Sequence, residues 1–97
     1  MSATILAELQ VKPEAVDEMI SYLKTILPDT RVYEGIQSIE VQQNQEDSSN
    51  LFLFEKWDSR QHFENYLGWR TETGVFDKLG SMLSQPPSIR YYDQVDA

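Results

Sequence analysis

Two short stretches hold most of the side chains that could do chemistry. The first is Glu55, Lys56 and Trp57, closing the run "LFLFEKW". Side chains two apart on a strand point to the same face, so Glu55 and Trp57 belong together. The indole offers a flat apolar wall and one N–H donor, which suits an aromatic substrate. A buried carboxyl beside it needs a cationic partner such as Arg90, or a raised pKa that makes it a usable acid or base. Parity leaves open which face of the sheet the pair occupies, a helix-covered cavity or an interface with a second chain.

The second stretch is "YLGWRTETG", Tyr66–Gly74. Tyr66, Trp69 and Arg70 are placed to line the mouth of a cavity between sheet and helix. The guanidinium carries a fixed fork of donors that can bind a carboxylate or an enolate-type oxygen. The alternative is structural: Trp69 packs, and Arg70 pairs with Glu72 or Glu64 at the surface. Tyr33, which follows the first helix, can reach the same cavity. Trp57, Arg70 and Glu55 are therefore the candidate catalytic residues, and Tyr33, Phe54, Tyr66 and Trp69 the candidate substrate-binding ones. His62, the sole histidine, lies in a helical segment and is expected at the surface.

Several chemistries lack their residues. There is no cysteine, which removes disulfides, thiolate nucleophiles and Cys-ligated metals and fits a cytoplasmic protein. No phosphate-cradling glycine motif, zinc-binding HExxH or GxSxG nucleophile elbow is present. Sixteen acidic against eight basic residues, a formal charge of −8, oppose nucleic acid and anionic membranes as partners. The longest apolar run is Leu51–Phe54, too short for a membrane span, and "MSATILAELQ" does not read as a signal peptide.

Ninety-seven residues suit one domain, 1–97. The elements that must position these side chains follow from periodicity. Thr4–Val11 alternates as a strand. "KPE" opens a helix with an apolar stripe through Val16, Met19, Ile20, Leu23, Ile26 and Leu27, which Pro28 disturbs or ends. Strands are expected at about Ile36–Gln43 and Leu51–Trp57, joined by the polar turn "NQEDSSN" as a hairpin. Asp58 or Ser59 caps a short helix carrying Phe63 and Tyr66. After a break near Gly68–Thr73, Val75, Phe76, Leu79, Met82 and Leu83 mark another helix, and Ser88–Tyr92 a last strand.

The order β-α-β-β-α-β, with its second helix split, predicts an α+β, ferredoxin-like fold: one antiparallel sheet with helices on one face. The third strand is apolar on both sides, Leu51 and Leu53 one way and Phe52 and Phe54 the other. A second copy, packed sheet against sheet, is the simplest cover for the free face.

"AELQVKPEAVDEMISYL", "YEGIQSIEVQQ", "LFLFEKWDSRQHFENYL" and "LSQPPSIRYYDQV" together resemble the antibiotic biosynthesis monooxygenase family over essentially the whole chain. The resemblance implies a dimeric α+β barrel of ferredoxin-like protomers. It also implies a place for Trp57 beside the substrate, since some members put a tryptophan there. Members of that family include cofactor-independent oxygenases of quinols and anthrones, haem-degrading enzymes and isomerases. The family's usual active histidine falls on Val75 here, and a haem-degrading member needs another near Gly80. Both are absent, so haem ligation through that position is excluded. The expectation is a homodimer that oxidises an electron-rich aromatic with O2 and no cofactor. The alternative is a small-molecule-binding or regulatory dimer without catalysis.

Overall fold

The computed structural model describes residues 2–97. Its elements are β1 (Ala3–Gln10), a 3-10 turn (Pro13–Ala15), α1 (Val16–Thr30), β2 (Ile36–Gln43), β3 (Asn50–Trp57), α2 (Arg60–Glu72), α3 (Val75–Ser81) and β4 (Ser88–Tyr92). The sheet order is β2-β3-β1-β4, antiparallel throughout, which is the ferredoxin-like arrangement. No helix is long and apolar enough to cross a membrane.

Strand alternation places the helices. On β1 every second residue, from Ala3 to Leu9, is buried, and the intervening ones are half-buried. Leu51, Leu53, Glu55 and Trp57 of β3 face the same covered side. The core beneath the helices has two parts. One gathers Met19, Leu23 and Leu27 of α1 with Leu9, Leu51 and Leu53 of the sheet. The other, under α2, is aromatic and centres on Ile5, Trp57, Phe63 and Tyr66.

Two local features differ from what periodicity suggests. β1 ends at Gln10, and Val11 instead makes an isolated bridge to Leu83. Pro28 does not end α1, which runs on to Thr30. A proline in a helix removes one donor and leaves the carbonyl four residues earlier, that of Lys24, without its helical partner. Lys24 lies on the exposed side of the helix. The two residues beyond Pro28 bring the helix to Thr30, which is fully buried.

The larger difference is α2. Ser59 caps it, its hydroxyl accepting from the His62 amide (3.1 Å), but the helix passes through Gly68 and continues to Glu72. The break falls at Thr73–Gly74, where Gly74 takes φ 80°, open to glycine at little cost. "YLGWRTETG" is therefore mostly helix. Tyr66 and Arg70, four apart, share its inward face.

His62 is also more than surface. Its ring Nδ1 lies 2.7 Å from Ser59 Oγ, and the ring covers Gly35, whose φ of 93° and lack of a Cβ both matter there.

Candidate active site

Glu55 lies on β3 between Ile5 of β1 and Ile39 of β2, facing the helices, and is 3% exposed. Its neighbours across the sheet are hydrocarbon, so its charge is poorly solvated. Burial raises its pKa from 4.5 to about 7, although the Trp57 indole N–H, donating to Oε1 at 3.0 Å, favours the charged form. Arg90 is not its partner. That residue pairs with Leu6 and faces the opposite side of the sheet.

Arg70 reaches the same cavity from α2 and is 5% exposed. Its Nε donates to Tyr66 Oη (2.9 Å), and Nη2 donates to the Ile26 carbonyl (2.7 Å) and Thr30 Oγ1 (3.0 Å). The guanidinium also lies over the Trp69 ring, 4.3 Å from its centroid. No carboxylate pairs with it. The only ion pair among the described residues joins Arg60 to Glu64, so Arg70 pairs with neither Glu64 nor Glu72. Arg70 is thus a buried cation solvated by neutral oxygens and a ring face.

Glu55, Tyr66 and Arg70 line one cavity of about 70 Å3 between sheet and helices. Its other walls are apolar, among them Leu23, Leu53, Phe63, Val75, Phe76 and Leu79. Among the described residues every buried side-chain nitrogen and oxygen has a partner unless some of its surface is reachable. Glu55 Oε2 and Arg70 Nη1 have no protein partner, so both keep some open surface, and both residues line the cavity. A carboxyl able to change charge near neutrality and a fixed cation converge on one apolar space. That combination can remove a proton from a bound molecule and hold the resulting anion.

The other candidates stand elsewhere. Trp57 is fully buried and forms no part of the cavity wall; it stands behind Glu55 and anchors its carboxyl. Tyr33 and Trp69 stack on each other, centroids 5.1 Å apart, and buttress Tyr66 without lining the cavity. Phe54 corrects the sequence reading most plainly. It points to the uncovered face of the sheet, 38% exposed, and shares a shallow depression there with Leu6 and Phe52. One residue off in parity from Glu55, it cannot reach the cavity.

Sequence reasoning missed Thr30, whose hydroxyl ties Arg70 to Tyr66. With Pro28 left to disturb or end α1, nothing in the sequence singled it out. Val75, where the resemblance would place a histidine, lies on the cavity wall. Among the described residues no group of three or more His, Cys, Asp or Glu could hold a metal ion.

The model of the antibiotic biosynthesis monooxygenase family matches residues 2–70. The chain belongs to that family. The match takes in β1 through most of α2, and with them Glu55, Trp57, Tyr66 and Arg70. Solved structures with the family's fold superpose over nearly the full length. A conserved protein from Methanosarcina mazei Go1 is 24% identical, with TM-score 0.89, covering 98% of this chain and 94% of its own. Rv0793 from Mycobacterium tuberculosis is 20% identical, with TM-score 0.87, covering 100% and 98%. A structure described as an antibiotic biosynthesis monooxygenase is 18% identical, with TM-score 0.87, covering 96% and 98%. At these identities the likeness is one of fold. No curated protein matches the chain in sequence.

Proposed function

We propose that this family member is a cofactor-independent monooxygenase acting on an electron-rich aromatic of the quinol or anthrone type, with Glu55 as base and Arg70 as the cation that holds the anion. The observation that carries this reading is that Glu55 and Arg70 both line one largely apolar cavity with no ion pair between them. Had the two paired, each would have quenched the other. The carboxyl takes over the office that the family histidine would hold at Val75.

For a single-ring quinol the chemistry balances without metal or flavin. Glu55 takes a hydroxyl proton, and the phenolate, held by Arg70, gives an electron to O2. The radical pair combines, forming a ring C–O bond and a peroxide. Loss of the ring proton and cleavage of the O–O bond then release water. Hydroquinone and O2 become a hydroxyquinone and water, one oxygen atom going to each product.

Size favours one ring over three. An engineered apolar cavity that takes benzene is about 150 Å3, against about 70 Å3 here. A ring enters only if a wall yields. α3 is the wall suited to it: seven residues, none buried, hinged at Gly74, yet supplying Val75, Phe76 and Leu79. We further propose that a second copy of the chain covers the open face bearing Leu6, Phe52 and Phe54, sheet against sheet. The test of the activity is turnover of a single-ring quinol under isotopically labelled O2. Mass spectrometry should find one labelled oxygen in the hydroxyquinone, and product without label would reject a monooxygenase. The absence of the family histidine favours the second reading, a dimer that binds such a molecule and leaves it unchanged.

A further inference from the structure

The hydrogens around Arg70 can be counted. Its Nε donates to Tyr66 Oη and its Nη2 to Thr30 Oγ1, so both hydroxyl oxygens already accept from the guanidinium. The two hydroxyls are 2.6 Å apart, so one donates to the other. They carry two hydrogens between them, and that contact uses one. The other has no acceptor among the described residues. Thr30 is fully buried and off the cavity wall, so a hydrogen left on it would have neither an acceptor nor open space to turn into. Tyr66 is on the wall. The arrangement with least cost has Thr30 donating to Tyr66 and Tyr66 turning its own hydrogen into the cavity.

We propose that the Tyr66 hydroxyl is the donor that holds an anionic oxygen of the bound molecule, the phenolate oxygen of a single-ring aromatic, with Thr30 the positioning residue that turns its hydrogen inward. The proposal rests on the cavity being the substrate site. Two incoming hydrogen bonds, one from a cation, polarise the phenol and strengthen it as a donor. The ring is clamped for the task by Tyr33, Trp57, Phe63 and Trp69, so little freedom is lost when it donates. Tyr66 and Arg70 then form a two-donor seat, and Glu55 lines the same cavity as base.

The test compares two probes, pentafluorophenolate and pentafluorobenzene, which share a fluorinated ring and differ in the anionic oxygen. Fluorine NMR titration of the full chain gives both affinities. Wild type should prefer the phenolate, and Tyr66→Phe should cut that preference about tenfold, as loss of a hydrogen bond to a charged group does. A purely structural Tyr66 would weaken both probes alike and leave the preference unchanged, which would overturn the proposal. Replacing Tyr66 with 3-fluorotyrosine keeps every internal bond and makes a stronger donor. It should raise the preference even where the phenylalanine variant folds poorly, and an unchanged preference there would again overturn the proposal. Wild type that binds both probes equally refutes the Tyr66 seat but leaves an aromatic site. Wild type that binds neither refutes the site and the proposed function with it.

Discussion

Replacing Glu55 with glutamine should stabilise the protein, and by an amount that depends on pH. Folding moves this carboxyl from an ordinary pKa of 4.5 to about 7 because burial penalises its charge. Below pH 4.5 it is protonated in both states and costs nothing. Between 4.5 and about 7 the folded protein keeps a proton that the unfolded chain releases, so stability falls as pH rises. Above about 7 the penalty is constant. The gap between the two values, at about 1.4 kcal/mol per pH unit, amounts to about 3 kcal/mol. Glutamine never ionises, and its side-chain oxygen can still accept from the Trp57 indole. Urea unfolding of both proteins at pH 4.5, 6 and 8 isolates the effect, since every other carboxylate cancels in the difference. The variant should gain on wild type by about 3 kcal/mol between the lowest and highest pH. Curves that run parallel across the range would refute the claim that Glu55 is buried and proton-holding.

Trp57→Phe removes the one donor that favours the Glu55 anion, so the carboxyl pKa should climb further. The glutamine-minus-wild-type stability difference at pH 8, measured in that background, should then grow. Gly35→Ala should cost about 1–3 kcal/mol, read as a fall in melting temperature, because it forces a side chain into positive φ and into the His62 ring. His62→Ala in the same chain should recover part of that loss by relieving the collision, leaving the backbone cost. Phe54→Asp, on the open face, should convert the proposed dimer into a monomer in sedimentation without changing the far-UV spectrum. An unchanged mass would remove that face from the interface.

The fold was legible because its strands alternate and its first helix carries a continuous stripe. Gln43, Trp57, Ser88 and Tyr92 mark strand ends that periodicity and turn residues foretell. The site was legible only in part. Glu55 and Trp57 share a face by parity, but "LFLF" is apolar both ways, so nothing in the run says which face is covered. That ambiguity also misplaced Phe54. α2 was cut short because Gly68, Thr71 and Thr73 favour a helix weakly, and its inward face at Tyr66 and Arg70 is polar where an apolar stripe is sought. What holds that last turn is tertiary: Arg70 bound to Ile26 and Thr30 of α1, residues some forty positions away. Thr30 itself lies past Pro28, where periodicity alone does not say whether the helix continues.

The most direct test of the account is oxygen uptake with single-ring quinols, measured against pH for wild type and Glu55→Gln. Wild type should consume O2 well above the autoxidation rate, with kcat/KM rising as pH passes through about 7, where Glu55 becomes the carboxylate that accepts the proton. Glu55→Gln should fall to the autoxidation rate at every pH. Uptake in the glutamine variant equal to that of wild type, or none in wild type with any quinol, would contradict the claim that this cavity is an oxygenase site with Glu55 as its base.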